Sequence, residues 1–318
     1  MKRLIPPGLK PGDLIGIVSP ASPPFGEKVK QYDQGKKYLL QQGYRIIEGE
    51  HVLSEYGYLA GSDEQRLHDL NSMLTNPEVR AIIFSRGGYG TPRLLRKVRY
   101  DAIESDPKII VGYSDITSLQ LAILAKTGLI TFSGPMVAVE MGSGMDPLTE
   151  KHLWQMLCQP GLHRLPAQEF EENVPIYRHG AAEGALIGGC LSLVNPLIGT
   201  DFLPDFDGAV LLLEDIGEDI YQIDRYFAHL RNAGLLDRIN GIVLGQFIDC
   251  KADEEDTFPS LTLEQVIRDY TDELDIPVMA NFPYGHGMRK FTLPIGARVR
   301  MDTKNKSIEL LEPVIRDA

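Results

Sequence analysis

Between Lys108 and Gly128 the chain reads KIIVGYSDITSLQLAILAKTG, an apolar triplet, a glycine-containing turn and then a helical repeat. Ile109, Ile110 and Val111 are β-branched and unalternated, the pattern of a short parallel strand covered on both faces. Gly112 loosens the turn. From Asp115 onward Ile116, Leu119, Ala122 and Ile123 recur at helical spacing, Leu121 and Leu124 widen the apolar face, and Gly128 offers a stop. Such a strand feeding such a helix belongs in a mostly parallel sheet with helices on both faces. Ser114 then falls at the C-terminal edge of that sheet, with the free N–H groups of a helix start behind it. Serine is also a favoured helix N-cap, and Ile116 stands where a Gly-x-Ser-x-Gly elbow has its second glycine. The turn alone therefore does not assign a nucleophile.

The flanking sequence repeats the alternation. Strands are expected at Asp13 to Val18, Tyr44 to Ile47, Ala81 to Phe84 and Leu129 to Phe132, with a helix over about Glu27 to Gln42 and another opened by the Ser62/Gln65 capping box. After the third strand comes SRGGYGTP, where Thr91 is expected to cap a helix with Pro92 at its first position. The pattern predicts an α/β N-terminal unit over 1–144 and a connecting segment over 145–184 with a helix at Thr149 to Leu157. A smaller mixed α/β unit is then expected over 185–318. In the latter, strands are expected at Ala209 to Leu213, Gly241 to Phe247 and Pro277 to Asn281. Helices are expected over Asp219 to Asn232 and from the Thr262/Gln265 capping box to about Leu274, followed by a closing hairpin of Ala297 to Met301 and Ser307 to Leu311.

A chain of 318 residues can build two cores. With 32 Lys plus Arg against 44 Asp plus Glu, a net charge of −12, it is not patterned to bind nucleic acid. Cys158, Cys190 and Cys250 are odd in number and far apart, which argues against a disulfide framework and for a reducing compartment. Pro6, Pro7, Pro11 and Asp13 interrupt the N-terminal stretch before an apolar signal region forms, and Leu119 to Val139 contains Lys126 and two glycines, so no membrane span is expected. The expected location is cytoplasmic. No metal-ligand spacing is present, and no metal site is expected.

Three further places carry chemistry. His286 lies between Gly285 and Gly287 just past an expected strand, with no helix face to serve. Glu214 ends the run Val210 to Leu213, where a carboxylate can accept from an imidazole N–H. Asp215 competes for the same role, and both also open an acidic cluster with Glu218 and Asp219 near a helix start. SRGGYG, Ser85 to Gly90, lacks the Lys-Ser/Thr of a phosphate loop and has Arg93 where a dinucleotide fingerprint needs its third glycine. Its glycines leave backbone N–H groups unobstructed, as an oxyanion hole requires.

SRGGYG, VGYSDIT, LLLEDIGEDIYQIDR and NFPYGHG, in this order and at these intervals, resemble the LD-carboxypeptidases, the muramoyltetrapeptide carboxypeptidase family of serine peptidases. The resemblance spans nearly the whole chain. It implies Ser114 as nucleophile, Glu214 as acid and His286 as base, with the backbone N–H groups of Gly88 and Asp115 as oxyanion donors. It implies an N-terminal domain like those of glutamine amidotransferases, a smaller C-terminal domain, and an active site between them. It further implies a small peptide substrate, a peptidoglycan tetrapeptide that loses its terminal D-alanine during wall recycling, no cofactor, and a homodimer. Arg86, beside the glycine turn, is a candidate for the substrate carboxylate. Two alternatives stand beside this reading. One is an immunity peptidase like those cleaving microcin C-type aminoacyl nucleotides, which needs an aromatic clamp for the nucleobase; the only tryptophan, Trp154, falls in the connecting helix and reads as a packing residue. The other is a non-catalytic small-ligand binding protein using the same cleft.

Overall fold

The computed structural model of the chain describes residues 3–170, 173–252 and 259–317. Its first part runs β1 (Leu14–Val18), α1 (Glu27–Gln41), β2 (Arg45–Glu48), α2 (Asp63–Thr75), β3 (Val79–Phe84), α3 (Tyr100–Ser105), β4 (Ile109–Val111), α4 (Ile116–Thr127), β5 (Thr131–Ser133) and α5 (Glu140–Ser143). Next come α6 (Pro147–Cys158), β6 (Arg164–Pro166), β7 (Ile176–Arg178), β8 (Ala181–Cys190) and α7 (Leu191–Val194). The last part holds β9 (Val210–Ile216), α8 (Ile220–Asn232), β10 (Gly241–Ile248), α9 (Leu263–Thr271), β11 (Val278–Met279), β12 (Leu293–Ile295), β13 (Arg298–Asp302) and β14 (Ser307–Leu310).

The strands form two sheets. In the first, of order β12-β5-β4-β3-β1-β2, the five strands β1 to β5 are parallel and β12 runs antiparallel to β5 at the edge. Every residue of β1, β4 and β5 is buried, which is why their sequences carry no alternation. The second sheet has the order β6-β14-β13-β8-β9-β10-β11-β7, with parallel pairing from β8 to β11 and antiparallel strands on both sides. The expected α/β class is therefore what the chain adopts, a mostly parallel sheet beside a second, mixed one. Both capping boxes form: the Gln65 amide donates to Ser62 Oγ at 3.3 Å and the Gln265 amide to Thr262 Oγ1 at 3.2 Å. Gly128, in the left-handed region at φ 73°, ends α4.

Three local expectations are corrected. Thr91 does not cap an α-helix. Its hydroxyl donates to the Asp115 carbonyl at 2.5 Å, and the chain makes two short 3₁₀ turns, Thr91–Arg93 and Leu95–Lys97, before α3. Glu214 does not terminate its strand, because β9 continues to Ile216 and both acids lie inside it. Leu293 to Ile295, unassigned from sequence, crosses into the first sheet. The segment from β11 to β12 consequently leaves one sheet and enters the other, carrying His286 between them. Among the described residues no helix is long and apolar enough to cross a membrane.

Candidate active site

Ser114 lies in the turn between β4 and α4, at the C-terminal ends of the parallel strands where open α/β sheets bind ligands. Its φ is 65°, one of four positive values among the described non-glycine residues. A serine held there costs of order 1–3 kcal/mol, and such strain persists only where the surroundings impose it. One source of that imposition is Asp115. Its buried carboxylate accepts from the amides of Thr91 at 2.8 Å and Gly90 at 3.2 Å, tying the glycine turn to the start of α4. Gly87 is the point of closest approach, since a Cβ there would lie 2.8 Å from Ser114 Cβ and 3.0 Å from its Oγ. Gly88 comes next, and neither its amide nor that of Asp115 donates to an acceptor among the described residues.

Burial pushes the Asp115 carboxyl up from 3.8 to about 6, against the pull of its Thr91 and Gly90 hydrogen bonds. The folded state thus holds a proton that the unfolded chain releases, so this group's contribution to stability is present below pH 4 and is lost as pH rises to about 6. The loss amounts to roughly 3 kcal/mol. Melting wild type and Asp115→Asn side by side is expected to show the wild type losing ground to the variant between pH 4 and 6. Parallel curves would refute the assignment.

Glu214, on β9, meets His286, which comes from the segment between β11 and β12. His286 Nδ1 lies 2.7 Å from Glu214 Oε2, with Glu214 fully buried and the imidazole side chain 11% exposed. Strand alternation resolves the competition between the two acids, because neighbours on β9 point to opposite faces. Asp215 turns away to accept from the Ser192 amide at 2.7 Å and the Cys190 thiol at 3.2 Å. Gly285, at φ +111°, makes the Glu214–His286 contact possible: a Cβ there would come 2.6 Å from Glu214 Oε2. Burial, with Glu214 and Asp215 nearby, pushes the Cys190 thiol well above its ordinary value, so it is unreactive.

The two halves of the site converge at Tyr113, the residue before Ser114. Its ring makes a T-shaped contact with the His286 ring, centroids 5.0 Å apart. The Ser114 hydroxyl makes no hydrogen bond among the described residues, to His286 or to any other group. Behind Tyr113 lies a buried pair that sequence reasoning missed, Lys290 with Glu140 at 2.6 Å. A lone lysine in NFPYGHGMRK reads as a solvated loop residue, and nothing local marks it as internal. Arg86 is half-buried, reaches the Pro23 carbonyl at 3.5 Å and covers the Phe25 ring at 5.4 Å, with no acidic partner among the described residues. Burial pushes its guanidinium down from the ordinary value. Trp154 stacks on Tyr44 at 5.1 Å and donates to the Tyr38 hydroxyl at 2.6 Å. No cluster of three or more metal-ligating side chains occurs among the described residues.

The chain matches two characterised domain patterns. The LD-carboxypeptidase N-terminal domain covers residues 15–134 and the LD-carboxypeptidase C-terminal domain covers 183–301. It is 38% identical to a probable murein peptide carboxypeptidase of Bacillus subtilis over 304 residues, 95% of this chain and 92% of that one. Among solved structures it is similar to the microcin self-immunity protein MccF in complex with glutamyl sulfamoyl guanosine, at 28% identity and TM-score 0.89, covering 98% of this chain and all of that one. It is also similar to the muramoyltetrapeptide carboxypeptidase of Oxalobacter formigenes, at 28% identity and TM-score 0.80, covering 96% of this chain and 100% of that one. With both domains matched in order and a relative of this identity spanning nearly the full length, the chain belongs to the LD-carboxypeptidase family and is a serine carboxypeptidase, a hydrolase.

Proposed function

We propose that the protein releases the terminal D-alanine from a murein tetrapeptide through an acyl-enzyme on Ser114, with His286 as base and Glu214 as its orienting acid. The observation carrying this reading is the buried 2.7 Å contact of His286 with Glu214, delivered by the second sheet against the residue that precedes a strained Ser114. As Ser114 Oγ bonds to the amide carbon, its proton passes to His286 and the carbonyl electron pair moves onto oxygen. The Gly88 and Asp115 amides are the donors proposed for that oxyanion. Collapse breaks the C–N bond, the proton on His286 goes to the departing D-alanine amine, and water then cleaves the acyl-enzyme by the reverse proton route. A Ser–His hydrogen bond that is open in the free enzyme commonly tightens only around substrate.

Arg86 is the group proposed for the substrate's terminal carboxylate, since it is a desolvated guanidinium without an acidic partner next to the glycine turn. Residues 1–144 would supply the nucleophile and 185–318 the acid and base, joined by 145–184. A cytoplasmic role in wall recycling fits a tetrapeptide substrate, as does a homodimer. The immunity-peptidase reading is supported by the similarity to MccF. It is weakened because the single tryptophan is committed to packing on Tyr44 and Tyr38.

The deciding assay incubates purified protein, with EDTA present, with a murein tetrapeptide and separately with an aminoacyl sulfamoyl adenosine. D-Alanine release from the tetrapeptide is the expected result. Cleavage of the nucleotide alone would move the substrate to the aminoacyl nucleotide class, and turnover of neither would favour the binding-protein reading.

A further inference from the structure

Behind Tyr113 lies a buried charge pair that the proposed reaction does not use. Lys290, four positions beyond His286, is 2% exposed. Its Nζ donates to Glu140 Oε1 at 2.6 Å and stands 4.0 Å from the centroid of the Tyr113 ring, and its backbone amide donates to Thr149 Oγ1 at 3.0 Å. Glu140 is itself 9% exposed. Its Oε1 also accepts from the Tyr113 hydroxyl at 2.7 Å and its Oε2 from the Met136 amide at 3.1 Å. Burial pushes the Glu140 carboxyl up, but Lys290 and these donors outweigh it and hold the carboxyl below its usual range.

Stability does not account for such a pair. The cost of desolvating two charges approximately cancels their attraction, and apolar replacements of similar volume are often neutral or better. Its placement does account for it. Glu140 and Tyr113 come from the part of the chain that carries Ser114, whereas Lys290 comes from the segment that carries His286 across to β12. The ammonium over the ring face and the carboxylate on the phenol hold Tyr113 at two points, and the ring meets His286 in a T-shaped contact. We propose that Lys290 and Glu140 are positioning residues that act through Tyr113 to set both the seat and the basicity of His286, a statement that rests on reading His286 as the base.

Several groups face His286. Glu214 approaches from β9 and Tyr113 from the turn before α4, with the Lys290–Glu140 pair behind Tyr113. Tyr284 and Cys190, both neutral because burial raises them, lie near Glu214, while Asp215 occupies the opposite face of β9. Arg289 pairs with Asp146 at 3.4 Å nearer the surface. Since Lys290 and Glu140 cancel one another, removing either one leaves a single buried charge one ring away from the imidazole.

The test follows the His286 ring by NMR through a pH titration, together with the rate at which a fluorophosphonate labels Ser114. Glu140→Gln, which leaves the ammonium uncompensated, is expected to lower the His286 midpoint, and Lys290→Met, which leaves the carboxylate, to raise it, each by about 0.5–1 pH unit. The double variant Glu140→Gln/Lys290→Met is expected to return the midpoint to the wild-type value while labelling Ser114 about 10- to 100-fold more slowly, because the ring is no longer clamped. Single-variant midpoints that do not move in opposite directions, or a double variant labelled at the wild-type rate, overturn the proposal. If Lys290→Met alone does not fold, Glu140→Gln and the charge-neutral double variant carry the same decision. A wild type that is not labelled at Ser114 counts against the triad, whereas the His286 titration needs no nucleophile and still decides the positioning role.

Discussion

Replacing Ser114 by alanine is expected to lower kcat/KM for D-alanine release by at least about 10⁴-fold with the fold intact. The proposed backbone donors of Gly88 and Asp115 and the Glu214–His286 pair all survive that change, so the loss isolates the missing Oγ. Groups that act as one unit are strongly non-additive, and Ser114→Ala/His286→Ala is therefore expected to be no slower than Ser114→Ala alone. The backbone supplies a second signature. At φ 65° any Cβ is strained, so Ser114→Gly, equally inactive, is expected to unfold at about 1 kcal/mol higher free energy than Ser114→Ala. Retention of more than a hundredth of the wild-type rate by Ser114→Ala would rule out an acyl-enzyme on this residue.

The second large effect belongs to Glu214→Gln, expected to cost about 10³- to 10⁴-fold in kcat with KM little changed. Glu214 Oε2 holds His286 by Nδ1, which leaves the other ring nitrogen for the proposed transfer of the serine proton. A glutamine that presents its amide nitrogen reverses the tautomer, and one that presents its oxygen keeps the tautomer but removes the charge that stabilises imidazolium. The buried Oε1 has no partner among the described residues, so no neighbouring donor selects between the two orientations. Gly285→Ala is expected to produce a comparable loss without touching either side chain chemically, because its Cβ would enter the space of Glu214 Oε2. Measuring kcat and KM separately on the tetrapeptide decides both. Near wild-type kcat in Glu214→Gln would remove Glu214 from the mechanism.

The amino-acid sequence determined the local order of this protein. The buried run Ile109 to Val111, the Ser114 turn and the helix closed by Gly128 are all written in adjacent residues, because strand burial, helix periodicity and a left-handed stop are short-range properties. So are the Ser62 and Thr262 capping boxes. Where a side chain's destination lay far away, local preference misled. Thr91 has the chemistry of a cap, yet its hydroxyl is claimed by the Asp115 carbonyl, and Glu214 looks like a strand end only until β9 is paired with β8 and β10. Local sequence left Glu214 and Asp215 in competition and only the family resemblance chose between them, because which acid faces His286 depends on the side of a sheet and not on composition. Tertiary structure alone carried residues 280–292 from one sheet to the other, buried Lys290 against Glu140, and brought Tyr113 to His286, since those contacts join positions that the sequence separates by 150 and more than 170 residues.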